Sequence, residues 1–362
     1  MNGLLTTGSE WAIQEPFMRR RQHPGPVRML SPAILVVALL AAGCGAGGGG
    51  APSAATAGGQ ASKAGKGSSS TAAGHKRAAP VRLSVRAVGH LPAPVQMPAV
   101  APLGSDGALV MGGLDSADAS SSAIYRLAGG RASTAGRLPR ALHDAAAASL
   151  GSRTLYAGGG EAGSSSGDVL LVSPGGTATP LGKLPVAASD VAAAALDGSV
   201  YIVGGYDGVN PLDTIVRVTP SGHTSVVAHM PRALRYAAVA TAGHALVIAG
   251  GTSGTAASDA VLRFDPAGRT VRQIGHLPRP TTHAAAITVG GRVFLIGGRG
   301  DALNSQRDWM LAIDPAVGRV RRAGRLPAAL SDLSAASLGD HALVVGGRDA
   351  QGGVHDEIWR VS

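Results

Sequence analysis

Short apolar runs that end in paired glycines recur along this chain: "TLYAGG", "SVYIVGG", "ALVIAGG", "RVFLIGG" and "ALVVGG". A tight turn before each, stretches of small residues appear, such as "DAAAASL", "DVAAAAL", "YAAVATA" and "HAAAITV". Beyond each glycine pair comes a polar loop and then a third apolar run ("DVLLVSP", "DTIVRVTP", "DAVLRFDP", "DWMLAIDP"). A last segment leads into the next Leu-Pro. This order predicts four short β-strands per unit. Alanine favours helix, but about seven residues between a proline-bearing loop and a turn are too few for a stable one. The alanine runs are therefore expected to be innermost strands, where only small side chains fit around an axis.

Two independent markers keep the same period. Leu-Pro, once Met-Pro, falls at Leu91, Leu138, Leu184, Met230, Leu277 and Leu326, at intervals of 46 to 49 residues. The glycine pairs begin at Gly112, Gly158, Gly204, Gly250, Gly297 and Gly346, with the same spread of intervals. A period of this length is that of propeller blades. The chain ends on "DEIWRVS", a third strand with no fourth behind it, while "RLSVRAVGHLP" near residue 82 reads as a fourth strand with no blade before it. Joining the two completes a sixth blade and removes two open sheet edges. The expected fold is all-β, a six-bladed propeller over residues 81–362.

The glycine pair closing the second strand of all six units resembles the kelch repeat, and the resemblance covers residues 82–362. The aromatic pair common further along a kelch blade survives only in part, at Tyr125, Trp309 and Trp359; aliphatics stand at Leu171 and Val216. The resemblance implies a propeller of the type found in galactose oxidase. Copper oxidases of that group use a cysteine–tyrosine cofactor, which the single cysteine here, Cys44, is not placed to supply. Sialic-acid epimerases are exported six-bladed kelch proteins too, although no active-site motif matches them residue by residue.

Upstream of the repeat the pattern changes. The basic "MRRRQHPGPVRML" precedes an apolar run from Pro32 to Ala42, short for a membrane span but right for a signal-peptide core. Small residues Ala41-Ala42-Gly43 then lead to Cys44. This resembles a bacterial lipobox, with Ala41 at the position that usually holds leucine; it implies cleavage before Cys44 and lipidation of its sulfur. Met18 opens a conventional basic n-region and is taken as the start of translation, with residues 1–43 as the signal region. Residues 44–80 are rich in Gly, Ala, Ser and Thr and hold no large apolar residue, so they cannot offset their ordering entropy and are expected to be a flexible tether. The expected location is the outer face of the cell membrane.

Net charge adds little. The formal charge is +10, but residues 1–80 hold eight Lys/Arg against Glu10 and Glu15, which accounts for six of the ten and leaves +4 for the rest. No basic cluster is interleaved with aromatics, so nucleic acid is not an expected partner. One cysteine excludes an internal disulfide and a cysteine metal cluster. There is no Gly-x-Ser-x-Gly elbow, no His-Glu-x-x-His and no phosphate loop. No catalytic residue, cofactor or metal is assigned.

Chemistry is expected at the mouth of the channel, where the loops before the first strand and after the second converge. Fourteen residues before the glycine pairs stand Asp144, Asp190, Tyr236, His283 and Asp332; the first unit, with one extra residue in its turn, offers Met97. Arg235 and His143 are neighbours of this set. A polar cup of His143, Asp144, Asp190, Arg235, Tyr236, His283 and Asp332 could hold a sugar, a peptide end or a protein partner from the cell envelope. The aspartates have a structural alternative, accepting loop N–H groups as Asx-turn residues do. Asp168, Asp213, Asp259, Asp308 and Asp356, which open third strands, are expected to be structural. The expected function is a binding or interaction module; an enzyme acting on a sugar or glycan, and a structural envelope protein, are the alternatives.

Overall fold

Each unit of the repeat forms one antiparallel sheet, and there are six such sheets among the described residues. The computed structural model describes residues 82–362; the signal region, Cys44 and the expected tether lie outside the described residues. The inner strands are Ala99–Leu103, His143–Leu150, Ala192–Leu196, Ala238–Ala242, Ala285–Val289 and Ser334–Ser337. Each inner strand packs beside the next, and the last beside the first, so the ring is closed. The fold is a six-bladed propeller. Its sixth blade joins both ends of the folded part: Val85–His90 pairs antiparallel with Glu357–Val361, with Val85 opposite Val361.

The alanines belong where the sequence placed them. Inner-strand residues such as Ala145, Ala146, Ala192, Ala238 and Ala285 line the axis. The few polar residues among them tie neighbouring blades together. Ser149 Oγ donates to the Pro102 carbonyl (3.1 Å), Thr241 Oγ1 to Ala195 (2.8 Å), Thr288 Oγ1 to Thr241 (2.6 Å) and Ser334 Oγ to Pro98 (2.6 Å). Between blades the core is aliphatic. The leucines of the Leu-Pro marker, and Met230 in their place, are all buried. Each contributes roughly 1.5–3 kcal/mol by leaving water, which gives the marker its periodicity.

The glycine pair has a more specific cause. In every blade the N–H of the second glycine donates to a carbonyl from the loop entering the next blade. Gly113 reaches Leu142, Gly159 reaches Ala188, Gly205 reaches Leu234, Gly251 reaches Thr281, Gly298 reaches Leu330 and Gly347 reaches Val95, all at 2.8–2.9 Å. The last of these crosses from the sixth blade to the first. That same carbonyl lies against the first glycine. A Cβ at Gly250 would stand 2.2 Å from the Thr281 oxygen, and one at Gly204 2.2 Å from that of Leu234. The backbone is also left-handed at both, with φ +67° and +60°. The doublet is thus a clasp: one glycine makes room for the neighbour's carbonyl and the other bonds it.

The aspartates that open third strands each face the fourth strand of their own blade. Asp356 meets His90 (2.9 Å), Asp213 meets His229 (3.0 Å) and Asp259 meets His276 (3.2 Å). Asp308 pairs with Arg322 and Arg325, and Asp168 with Lys183. Each therefore joins its third strand to its fourth, a structural role.

The clasp separates two effects in one pair of variants. Gly243 has a left-handed backbone (φ +59°) with nothing within 4 Å of where a methyl would stand, whereas a methyl at Gly250 meets the Thr281 oxygen. Gly243→Ala is expected to cost about 1–2 kcal/mol, the left-handed penalty alone. Gly250→Ala should cost about 3 kcal/mol or more, since a neighbouring blade must also move. Urea unfolding of both variants checks this; equal losses would show that the clasp carries no load.

Candidate functional site

At one end of the axis, six residues occupy the same place in six blades: Met97, Asp144, Asp190, Tyr236, His283 and Asp332. All six are left-handed, with φ between 54° and 60°. Their backbones bond at four of the six junctions. Met97 N–H donates to Asp332 C=O (2.7 Å), Asp144 to Met97 (3.2 Å), Tyr236 to Asp190 (3.0 Å) and Asp332 to His283 (3.0 Å). The left-handed kink is what lets each blade reach its neighbour here. Asp tolerates that conformation well; Met and Tyr adopt it less readily. The repeated aspartate therefore has a backbone reason, but it is not the Asx turn considered above. That role falls to Asp115, Asp207 and Asp349 in the loops behind the glycine pairs, each accepting two backbone N–H groups.

The ring surrounds a cavity of about 150 Å³ whose floor is inner-strand alanine. The six ring residues line it; His143 and Arg235 stand behind them. His143 Nδ1 bonds Ser120 Oγ (2.8 Å), and its Nε2 lies 3.8 Å from Asp144. The third glycine of "GGG" explains this local difference. Gly160 extends the hairpin, pairs with His143 and leaves room for its ring, so His143 and Asp144 fall inside the inner strand of the second blade rather than before it.

Arg235 is held against Asp190 and lies over the Tyr206 ring at 4.2 Å. It also donates to Tyr236 Oη (3.2 Å), and that hydroxyl donates to Asp144 Oδ2 (3.2 Å). Tyr236 stacks on His283, with centroids 3.7 Å apart. Arg299 donates to His283 Nε2 (3.2 Å), which makes that nitrogen the acceptor and leaves Nδ1–H to donate to Thr282 Oγ1 (3.0 Å). Asp332 accepts from Ser331 Oγ, while its Oδ1, 3.8 Å from His283 Nε2, has no hydrogen-bond partner.

Burial dominates the electrostatics. It pushes the Asp144 carboxyl well above the usual range, reinforced by the Asp190 and Asp332 charges. Asp190 and Asp332 rise for the same first reason, opposed by Arg235 and by the Ser331 hydroxyl respectively. Burial, with Arg299 and Arg235 nearby, pulls His283 well below its ordinary value, so the ring is neutral at pH 7. Burial would lower Arg235, but Asp190 beside it carries it upward. The site is a rigid cup of acceptors with a neutral imidazole, suited to hydrogen bonding a polar group. Among the described residues no group of His, Cys, Asp or Glu is placed to hold a metal.

Spacing from the glycine pairs identifies the ring residues and also the positions of Gln96, Arg235 and Arg299 beside them, but not which of their side chains pair. Arg299, Gln96 and Asp118 belong to the site's supporting network. Gln96 Nε2 donates to Asp118 Oδ1 (2.8 Å), which also takes Arg348 (3.3 Å). Nothing in the periodicity marks these pairs, since they depend on which way side chains turn across blade boundaries. Glu161, just behind the second blade's glycine pair, is bonded to Arg140.

Comparison with known proteins agrees with this architecture. The Kelch motif pattern matches residues 187–226, which cover the third blade. The structure is similar to the one titled "Structure of YjhT": the TM-score is 0.65 at 16% identity, over 74% of this chain and 95% of that one. No curated protein sequence matches the chain. The chain is a six-bladed β-propeller that carries a kelch motif in its third blade.

The raised carboxyl predicts a pH signature. A group whose pKa is higher in the folded state penalises folding above its unfolded value, near 3.9, and the penalty is complete once pH exceeds the folded value. Asp144→Asn keeps the left-handed backbone and removes the charge. Its melting temperature should exceed the parent's at pH 7, with the gap closing as pH falls towards 4. A pH-independent gap would show that Asp144 bears no such cost.

Proposed function

We propose that this protein is a lipid-anchored, extracytoplasmic binding module that presents the propeller mouth to a polar ligand or partner in the cell envelope. The observation that supports binding is the contrast within the ring. Six positions share one backbone conformation, yet they carry Met, Asp, Asp, Tyr, His and Asp. Closing the ring requires only the kink, which Asn, Asp or Gly would meet. Burying a stacked Tyr236–His283 pair and ionisable carboxyls there adds cost without adding closure. A bound group that uses them accounts for their presence.

The address rests on Cys44 and the residues around it: a basic segment, an apolar run, small residues, then the single cysteine. Among the described residues no helix is long and apolar enough to cross a membrane, so in this reading the lipid on Cys44 is the anchor. Residues 44–80 would then hold the propeller off the bilayer.

Two measurements test the proposal. Metabolic labelling with an alkyne fatty acid should tag the full chain and not its Cys44→Ser variant; label on both, or on neither, would remove the lipid anchor. A thermal-shift screen of sugars, muropeptides and short peptides tests the cup. A ligand at a hundred times its dissociation constant should stabilise by about 2.7 kcal/mol, and His283→Gln and Tyr236→Phe should both abolish the shift. Arg235→Ala is a poor probe, because it would leave buried Asp190 without its partner. A ligand whose shift survives both variants would move binding away from the mouth, and a product formed during the screen would move the reading to catalysis.

A further inference from the structure

A second cavity, of about 280 Å³, adjoins the mouth between the fifth, sixth and first blades, and Asp332 and Met97 border both. Three buried oxygens around it lack a hydrogen-bond partner: Asp332 Oδ1, Gln96 Oε1 and Gln306 Oε1. They come from three different blades. The Asp332 side chain is 4% exposed and Gln96 is 1% exposed. The orientation of each amide is set by its other end. Gln96 Nε2 donates to Asp118 (2.8 Å), and Gln306 Nε2 donates to the Leu303 carbonyl (2.8 Å) and reaches Ser331 Oγ (3.3 Å). Turning either amide would break those bonds, so each oxygen is left as an acceptor without a donor.

Three acceptors without donors ask for a ligand that brings donors. The charges indicate which kind. Carboxylates bordering the two cavities, or paired with groups that do, are Asp118, Asp144, Asp190, Asp332 and Asp349. Arg235 is held by Asp190 and Arg348 by Asp118, whereas Asp332, which borders both cavities, has no guanidinium in ion-pair contact. The arginines bordering the second cavity are already engaged. Arg299 donates to His283 and to the Gly300 carbonyl (3.2 Å), and Arg348 to Asp118. A neutral hydroxyl could satisfy an acceptor but not the charge, and an anion would satisfy neither.

We infer that the junction of the two cavities at Asp332 is a receptor for a primary ammonium group, whose three N–H donors meet Asp332 Oδ1 and the Gln96 and Gln306 oxygens. This deepens the binding function proposed above and rests on it. The ammonium sits between the sixth and first blades, and the body it is attached to faces out through the mouth.

The test uses matched probes and the full chain. Glucosamine is compared with glucose, and 6-aminohexanol with 1,6-hexanediol, by calorimetric titration at pH 7. In each pair the ammonium member should bind at least tenfold more tightly. Asp332→Asn, which keeps the Ser331 contact, should remove that advantage, as should Gln96→Met in a folded protein of unchanged melting temperature. Neutral members binding within twofold of their partners, or an amine affinity untouched by Asp332→Asn, would overturn the inference. If no amine binds but the wider screen yields a ligand lost in His283→Gln, the ammonium class is wrong and the mouth remains a binding site. If neither set binds, both readings fail.

Discussion

The carbonyl that lies over each glycine pair holds this molecule together as a ring. A sheet of four strands has two edges, and stacking six of them side by side leaves the blades free to splay. Here each blade presents one N–H and one bare Cα to the chain entering its neighbour, and the neighbour's carbonyl occupies both. The contact is short-range and directional, so it fixes separation and angle together. Because it recurs six times with the same 2.8–2.9 Å geometry, the last junction closes as the first did. The aliphatic wedges between blades supply most of the buried surface, but apolar contact alone is non-directional and would not set the number of blades.

That explains why the fold was open to inspection in the sequence. A residue type that no other can replace, recurring with little drift in spacing, marks the blades more firmly than the hydrophobic runs do. The alanine strands, ambiguous alone, became strands once the period was seen. The site was legible only in part. Counting back from Gly158, Gly204, Gly250, Gly297 and Gly346 reaches ring residues, because register carries position. It does not carry direction. The pairing of Arg235 with Asp190, the bond from Arg299 to His283 and the Gln96–Asp118 contact each join separate loops, and no local pattern specifies which way those side chains turn. The Asx-turn explanation failed for a related reason: it assigned to the ring aspartates a task done by Asp115, Asp207 and Asp349.

Fold and site make opposing demands on the same few residues. Closing the ring needs left-handed kinks at the mouth, and Asp144, Asp190, His283 and Asp332 are buried there. Placing carboxyls and an imidazole in such positions raises the one and lowers the other, so neither carries its ordinary charge willingly. The floor beneath is mostly alanine, and its one hydroxyl, Ser334, is bonded to the Pro98 carbonyl. A rigid, under-solvated ring of acceptors is poorly suited to holding water loosely and well suited to a ligand that completes its hydrogen bonds.

The sixth blade also imposes an order in time. Its outer strand, Val85–His90, is among the first parts of the folded region to be synthesised, and its partner, Glu357–Val361, is the last. Throughout synthesis the early strand has no sheet to join, and the growing molecule is an open arc with an unpaired edge at each end. Domains form as units while the chain emerges, but this one cannot close until Glu357–Val361 has been made and laid against Val85–His90. The circular form, which is hardest to unravel, is therefore the last to appear.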